Sequence, residues 1–266
     1  MQDYVHGYSN RENERLNDQA KTLSELLHHD TLYPPGSHVL EAGCGVGAQT
    51  VILAAKNPDV RFTSIDISPS SLSCAKEAVS QKGFGNVCFE VGDIFNPQFS
   101  EGAFDHVFVC FVLEHLSDPM NALSKLKRLI KPGGTITVIE GDHGSTYFHP
   151  HSDDAMKTVN CLVMAQKLAG GDSNIGRSLY PLLREAGFDE VSVSPRMVYV
   201  DSSRPWLVEG FTRNTFTAMV EGVREKALDL KLIDENTWEK GIADLKRTAL
   251  EDGVFCYTFF KAIANV

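Results

Sequence analysis

Three glycines follow an apolar stretch in the segment VLEAGCGVGAQT, residues 39–50. Gly43, Gly45 and Ala48 satisfy the spacing GxGxxG/A, in which bare backbone lets a ligand come close where a strand turns into a helix. This spacing is typical of dinucleotide-binding enzymes. No GK[ST] follows the glycines, so the segment is not a phosphate-binding loop of the ATPase type.

Three acidic residues bear on which ligand this loop serves. Asp66 ends the next strand-like segment, where a carboxylate can bind ribose hydroxyls. Glu41 precedes the first glycine by two residues, where its charge would repel a pyrophosphate but can help to hold a cationic or hydroxylated ligand. Asp93 ends a third segment, where a carboxylate can accept a hydrogen bond from an exocyclic amine such as adenine N6. The last two residues shift the balance away from a dinucleotide.

Alternating strands and helices must position these residues. We predict helices over about 10–29, 68–82 and 118–130, and strands over 37–42, 61–66, 86–93, 104–111 and 135–141. Five apolar strands that alternate with helices indicate a parallel sheet with helices on both faces, a doubly wound α/β fold of the Rossmann-like type. The carboxyl edge of such a sheet binds ligands.

The pattern loosens beyond residue 142. We expect a loop over 143–154, further helices, and two strands at 190–201 and 252–264. Pro195 indicates a bulge or an edge position in the first of these strands. No linker separates an independent domain, so we predict a single domain over 1–266. Its parts are an N-terminal helical cap segment (1–30), a cofactor-binding core (36–141), the remainder of the sheet (142–201 and 251–266) and a helical cap insert (202–250).

Composition limits the partners. The formal net charge is −10 and no cluster of Lys and Arg is present, which argues against nucleic acid or an anionic membrane as partner. The six cysteines are scattered without a CxxC pair, as in reduced, cytoplasmic proteins. No targeting segment or membrane span is apparent. We therefore expect a cytoplasmic protein that acts on a small molecule.

Five motifs stand in an order that identifies a family. They are VLEAGCGVGAQT at 39–50, SIDIS at 64–68, VGDIF at 91–95, FDHVFVCFVLEHL at 104–116 and LKRLIKPGG at 126–134. In this order and spacing, across about residues 36–141, they resemble the class I S-adenosylmethionine-dependent methyltransferases. The resemblance implies a seven-stranded, mostly parallel sheet with an antiparallel last strand.

The resemblance also implies roles for residues of these motifs. Gly43 and Gly45 would let the backbone approach the methionine part of S-adenosylmethionine, and Asp66 would bind its ribose. The other residues expected at the cofactor are Ile67 against the adenine, Asp93 and Ile94 at the adenine edge, Cys110 and Phe111 near the amino-acid end, and Glu41, Cys44, Gln49 and Gly92 from the same motifs.

The leading segment resembles the N-terminal caps of several small-molecule methyltransferases. Tyr8 or Arg15 could then face the carboxylate of the cofactor. An ordinary surface helix explains these two side chains equally well.

Methyl transfer from a sulfonium is an in-line displacement, so the protein must mainly align the acceptor with the methyl group and exclude water. If the acceptor carries a proton, His115 and His143 are the candidate general bases, because both follow strands at the carboxyl edge. Capping or packing is the alternative role for each. We expect no metal site in HPHSDD (149–154), whose composition suits a solvated loop before a helix.

The acceptor is not specified by these motifs. The aromatic and methionine side chains of the insert should mostly form its own core, although some could line an acceptor pocket: Trp206, Phe211, Phe216, Met219 and Trp238. We predict methylation of a small molecule at O, N or C. The alternatives are a non-catalytic sensor of S-adenosylmethionine and, less favoured by Glu41 and Asp93, an NAD(P)-dependent reductase.

Overall fold

The computed structural model describes residues 10–266, with side chains from residue 12 onward. These residues form two compact units. The sheet unit consists of Ser24–Glu140, Ile175–Pro195 and Phe260–Val266, and the insert unit consists of the described residues up to Leu23, Gly141–Asn174 and Arg196–Phe259. Tyr8 lies outside the described residues.

The strands form one seven-stranded sheet. They are β1 (His38–Ala42), β2 (Arg61–Asp66), β3 (Val87–Val91), β4 (Phe104–Cys110), β5 (Ile130–His149), β6 (Asp189–Val200) and β7 (Val254–Asn265). The strand order is β3-β2-β1-β4-β5-β7-β6. β1 pairs in parallel with both β2 and β4, β2 pairs in parallel with β3, and β4 with β5. The order therefore reverses between β1 and β4, which is where sheets of this type bind ligands.

The last strand runs antiparallel. The Gly133 N–H donates to the Val266 carbonyl at 3.1 Å, and the Val266 N–H donates to the Gly134 carbonyl at 3.1 Å, so the start of β5 lies beside the end of β7. β6 is an edge strand, and Pro195 lies within it. An edge position tolerates the missing N–H of proline. The predicted fold class is confirmed.

Helices follow the strands where the sequence supplies caps. The helices of the sheet unit are α2 (Ala48–Lys56), α3 (Pro69–Gln81), α4 (Pro119–Leu129), α6 (Leu179–Glu185) and the end of α1 (Asn10–His28), with short 3₁₀ turns at Leu113–His115 and Ile175–Ser178. The Ser68 hydroxyl accepts the Ser71 N–H before α3, and the Asp118 carboxylate accepts the Asn121 N–H before α4. Each of these helices has a proline at its first position. The first N–H groups of a helix have no partner within the helix, so proline, which has no N–H, loses no hydrogen bond there.

The inner strands are buried on both faces. Consecutive residues of β1, Val39 and Leu40, have no exposed surface, and the same holds for Val107, Phe108 and Val109 in β4. Continuous burial of this kind requires helices on both sides of a sheet. Because both faces are buried, these stretches of the two strands are continuously apolar and do not alternate between apolar and polar residues.

A buried lysine joins β7 to the end of α1. Lys261 is 1% exposed, and its ammonium group lies 2.6 Å from Asp30 Oδ1. It also donates to the Leu27 carbonyl at 3.2 Å and to the Thr31 hydroxyl at 2.7 Å. The last carbonyls of a helix lack partners within the helix, and a cation there is favourable. Lys261 therefore secures the C-terminal end of α1.

The expected loop over 143–154 is wrong in its first half, because β5 continues to His149. Thr146 and Phe148 are buried while Tyr147 and His149 are exposed, which is the alternation of a strand. Gly144 and the polar residues around it hide this alternation in the sequence.

The insert unit is mainly helical. Its helices are α5 (Asp153–Leu168), α7 (Pro205–Leu207), a π-helix (Val208–Thr217), α8 (Ala218–Glu221), α9 (Arg224–Asp229) and α10 (Glu235–Arg247). Phe211, Phe216 and Trp238 are buried, as expected for its core, whereas Trp206 is 63% exposed. Among the described residues, no helix combines the length and apolar character that a membrane span needs.

Candidate functional site

The glycine loop lies in the sheet unit between β1 and α2. The N–H groups of Gly43 and Cys44 both donate to the Ile65 carbonyl, at 2.8 and 2.9 Å. These bonds fold the chain back over the end of β2. The loop ends at Gly47, which precedes the first residue of α2. The predicted turn from strand to helix is therefore present.

The glycines of this loop meet different surroundings. A Cβ atom at Gly43 would lie 2.5 Å from Val112 Cγ2, so Val112 occupies the space beside that residue. A Cβ atom at Gly45 would have no heavy atom within 4 Å, and Gly45 has a φ of +52°. Gly45 therefore leaves space beside the backbone for an approaching ligand, whereas at Gly43 the space that a side chain would take is filled by Val112.

Asp66 holds the loop from the end of β2. Its Oδ2 accepts the Gly45 N–H at 2.8 Å, and its Oδ1 accepts the Ser68 N–H at 2.9 Å. A carboxylate oxygen can accept more than one hydrogen bond, so both oxygens retain capacity for ligand hydroxyls. The residue that follows, Ile67, is 52% exposed.

Asp93 and its neighbours follow the end of β3. The Asp93 Oδ1 accepts the Phe95 N–H at 2.9 Å, and the Gly92 N–H donates to the Asp66 carbonyl at 3.0 Å. A Cβ atom at Gly92 would lie 3.2 Å from the Ile65 side chain. Ile94 packs against the core. These contacts bring the ends of β2 and β3 together.

Glu41 lies inside the sheet unit. It is 2% exposed, and its Oε2 accepts hydrogen bonds from the Thr50 hydroxyl at 2.7 Å and the Ser64 hydroxyl at 2.6 Å. Burial raises the pKa of this carboxyl group to about 7, against the opposing effect of the two hydroxyls. These bonds join β1, β2 and α2, a role that the sequence did not reveal.

Gln49 links α2 to the end of α1. Its Oε1 lies 2.8 Å from Nε2 of His28, a fully buried imidazole. Burial lowers the pKa of His28 to about 4, so the ring is neutral at physiological pH. The thiol of Cys44 is also buried, and burial raises its pKa. Cys44 is therefore a thiol and not a thiolate.

The end of β4 and the turn after it carry two more of the predicted residues and a strained backbone. Cys110 is buried, and Phe111 has a φ of 57°, which is rare for a residue with a side chain. The Phe111 N–H donates to the Ile139 carbonyl at 2.9 Å. Backbone outliers of this kind cluster at functional sites. In the same turn, His115 Nε2 lies 3.5 Å from Glu114 Oε1.

Two predicted residues belong to the insert unit. Arg15 is buried, donates to both carboxylate oxygens of Glu12 at 2.8 and 2.6 Å, and donates to Gln19 at 3.0 Å. His143 is buried, with Nδ1 2.8 Å from the Tyr257 hydroxyl. The cofactor contact of Arg15 and the catalytic role of His143 stay predictions.

The segment 149–154 forms ion pairs with neighbouring helices. Asp154 pairs with Lys157 at 2.9 Å and with Lys240 at 2.5 Å, and His151 lies 3.1 Å from Asp153. Within the part of the chain that the structure describes, no group of three or more His, Cys, Asp or Glu side chains is placed to hold a metal ion.

Comparison with known proteins identifies the class. A family model described as "Methyltransferase domain" matches residues 34–187, which is more than half of the chain. The chain therefore belongs to the methyltransferase domain family, and its sheet has the Rossmann-like order of class I members. The predicted family resemblance is confirmed.

The relatives extend beyond this chain. Ajmaline N-methyltransferase from Rauvolfia serpentina is 31% identical over 130 residues, which are 48% of this chain and 44% of that protein. The chain spans about half the length of the curated relatives that it matches.

Two solved structures share the fold. Haemonchus contortus phosphoethanolamine N-methyltransferase 2, in complex with phosphomonomethylethanolamine and S-adenosylhomocysteine, has a TM-score of 0.57 and 18% identity over 92% of this chain and 52% of that one. The [4+2]-cyclase SpnF has a TM-score of 0.56 and 21% identity over 94% and 80%. One fold neighbour is named a cyclase, so the shared fold does not by itself specify the activity.

Proposed function

We propose that this protein is an S-adenosylmethionine-dependent methyltransferase that transfers a methyl group to an O, N or C atom of a small molecule. The observation that carries the proposal is the carboxyl edge of the sheet unit, where open backbone at Gly45 lies beside the Asp66 carboxylate and the exposed Ile67. Membership of the methyltransferase domain family supports it.

The residues at this edge suit a nucleoside joined to an amino acid. The Asp66 carboxylate would accept hydrogen bonds from the ribose hydroxyls, and the exposed side chain of Ile67 would pack on the adenine. The Asp93 Oδ2 would accept a hydrogen bond from the adenine amine, because the Phe95 N–H already binds Oδ1. No phosphate-binding group is needed. S-adenosylmethionine, when bound, supplies an electrophilic methyl group on a sulfonium.

The other cofactor residues extend this proposal. Gly43, Cys44 and Gly45 would face the methionine part together with backbone of Cys110 and Phe111. The remaining expected contacts are those of Glu41, Gln49, Gly92 and Ile94 in the sheet unit and of Arg15 and Tyr8 in the leading segment. For Glu41 and Gln49, the described bonds to other side chains make an indirect contribution, through the shape of the loop, the better-supported role.

The protein's task in the reaction is to align the acceptor lone pair with the methyl group and to exclude water. An acceptor that carries a proton needs a base, for which we propose His115 or His143. In each histidine, one ring nitrogen lies near a named group, Glu114 for His115 and the Tyr257 hydroxyl for His143. Such a contact fixes the orientation of an imidazole ring.

A small molecule is the proposed acceptor. The net charge of −10 disfavours nucleic acid and anionic membranes. One relative is named for the methylation of a small molecule, ajmaline N-methyltransferase, and it supports this class. We also propose a cytoplasmic location, from the scattered, unpaired cysteines.

Calorimetric titration with S-adenosylmethionine and S-adenosylhomocysteine tests the cofactor. Saturable binding of both to the intact protein is expected, and absence of binding would refute the proposal. Incubation of a metabolite extract with methyl-labelled donor then tests turnover. A labelled product from wild type shows turnover. If His115→Gln or His143→Gln forms no labelled product but still binds S-adenosylhomocysteine, the replaced histidine is the base. Binding without any labelled product would indicate a sensor.

A further inference from the structure

Glu140 is the last residue of β5 that belongs to the sheet unit. It has no exposed surface, and its Oε1 accepts two backbone N–H groups, from Val112 at 3.0 Å and from Leu113 at 2.8 Å. These N–H groups begin the 3₁₀ turn Leu113–His115, where they have no partner within the turn. One side chain therefore satisfies the start of the turn that follows β4.

The same turn forms one side of the glycine loop. Val112, whose N–H binds Glu140, has its side chain against Gly43, where a Cβ atom would lie 2.5 Å from Val112 Cγ2. Phe111, immediately before it, has a φ of 57°, a conformation that side chains disfavour. A strained residue keeps such a conformation only when its surroundings hold it. The bonds to Glu140 are two of the contacts that do so.

We propose that Glu140 is a positioning residue of the cofactor site, which holds Val112 against Gly43 and thereby sets the shape of the glycine loop. It acts through Val112 and does not itself touch the reacting atoms. The inference rests on the proposed function, because it concerns the site that we assign to S-adenosylmethionine.

Burial favours the neutral form of the Glu140 carboxyl group. Its Oε2 is buried and has no hydrogen-bond partner among the described residues. Burial and then the charge of Glu114 raise the pKa of Glu140 well above its ordinary value, although the N–H bonds oppose this. The thiol of Cys110 is another titratable group nearby, and burial raises its pKa as well. Cys110 therefore stays uncharged.

A carboxyl group and an amide have similar shapes, so Glu140→Gln is the conservative variant and Glu140→Leu is the disruptive one. Glu140→Gln keeps an oxygen that can accept both N–H groups, so we expect its dissociation constant for S-adenosylhomocysteine to remain within about threefold of wild type. Glu140→Leu keeps the approximate volume but leaves both N–H groups buried without a partner, so we expect affinity to fall by about tenfold or more. Circular dichroism and thermal melting establish that each variant is folded.

A double-mutant cycle tests the path through Val112. Val112→Ala removes the contact with Gly43 and should weaken binding about threefold or more, with the bonds of Glu140 intact. If Glu140 acts through Val112, the double variant binds little worse than Glu140→Leu alone. Effects that multiply would overturn this path.

The pH dependence of binding is a second test of the role of Glu140, and it does not require Glu140→Leu to fold. As pH rises through the raised pKa of Glu140, its carboxyl group ionises, and a buried charge beside Glu114 draws in water and disturbs the turn, so wild-type affinity should fall. Glu140→Gln should lack this fall, while titration of the ligand itself is common to both proteins. An alkaline fall of equal size in the two proteins would overturn the assignment.

Binding by wild type tests the proposed cofactor, and binding by Glu140→Leu tests the positioning role of Glu140. If wild-type protein does not bind S-adenosylhomocysteine at all, the proposed cofactor is wrong. If wild type binds and a folded Glu140→Leu binds equally well, the cofactor stands and the positioning role of Glu140 is wrong.

Discussion

The carboxylate of Asp66 holds the backbone of Gly45, with Oδ2 accepting the N–H at 2.8 Å. The residue expected to bind the ribose thus also shapes the glycine loop. Asp66→Asn removes the charge and puts an amide nitrogen, which cannot accept a hydrogen bond, in place of one of the two accepting oxygens. We expect the dissociation constant for S-adenosylhomocysteine to rise about 10- to 100-fold, the range for a hydrogen bond to a charged group. Calorimetry measures it.

The exposed Asp59 offers a matched control for this prediction, since Asp59→Asn makes the same chemical change on the surface of the same unit. It should bind as wild type does. Equal affinities in Asp66→Asn and Asp59→Asn would contradict the role of Asp66.

Gly45 and Gly36 give a controlled test of the open backbone. Both have a positive φ, +52° and +82°, and a Cβ atom at either would meet nothing within 4 Å. Replacement of either glycine by alanine should therefore lower the free energy of unfolding by about 1 kcal/mol, because of backbone strain. Only Gly45→Ala should weaken cofactor binding, because its methyl group enters the space assigned to the ligand. Equal binding by Gly45→Ala and Gly36→Ala would place the ligand elsewhere.

Glu41 should make the protein less stable as pH rises. Its pKa is raised from 4.5 to about 7 in the folded state, so its contribution is complete below pH 4.5 and is lost as pH rises through about 7. Between pH 5 and pH 8, urea unfolding should show that wild type loses on the order of 3 kcal/mol more stability than Glu41→Gln does. The exposed Glu77→Gln is the control, and a loss of equal size in Glu41→Gln would refute this prediction.

His28 has the opposite effect on stability. Its pKa is lowered from 6.5 to about 4 by burial, so its contribution is complete above pH 6.5 and is lost as pH falls through about 4. His28→Gln should reduce the loss of stability between pH 6.5 and pH 4, again on the order of 3 kcal/mol. The adjacent, more exposed His29 provides the control, because His29→Gln should leave this acid dependence unchanged. The same acid dependence in His28→Gln would show that another group is responsible.

Periodicity and turn chemistry predict most of the sheet unit. The strand predicted at 61–66 is found at those residues, and the caps before α3 and α4 are local signals, which a single sequence displays. The extension of β5 through 143–149 was missed because a glycine and polar side chains interrupt the apolar pattern, while its burial depends on the insert unit's own packing.

The candidate site was predictable only where its residues share a local pattern. The spacing of Gly43, Gly45 and Asp66 indicated the loop and its acid. The sequence could not show that Glu41 binds two hydroxyls inside the unit or that Glu140 caps a turn 27 and 28 residues earlier. Such partners are set by which strand ends meet, and no motif spacing encodes them.

The place of β7 between β5 and β6 has a consequence for biosynthesis. Because β7 follows all six of its companion strands in the chain, β5 and β6 cannot acquire their shared neighbour until the ribosome has released residues 254–265. The end of α1 waits equally long for Lys261. Until then the nascent chain presents unpaired strand edges, which associate readily with other chains. This hazard persists until β7 has emerged from the ribosome.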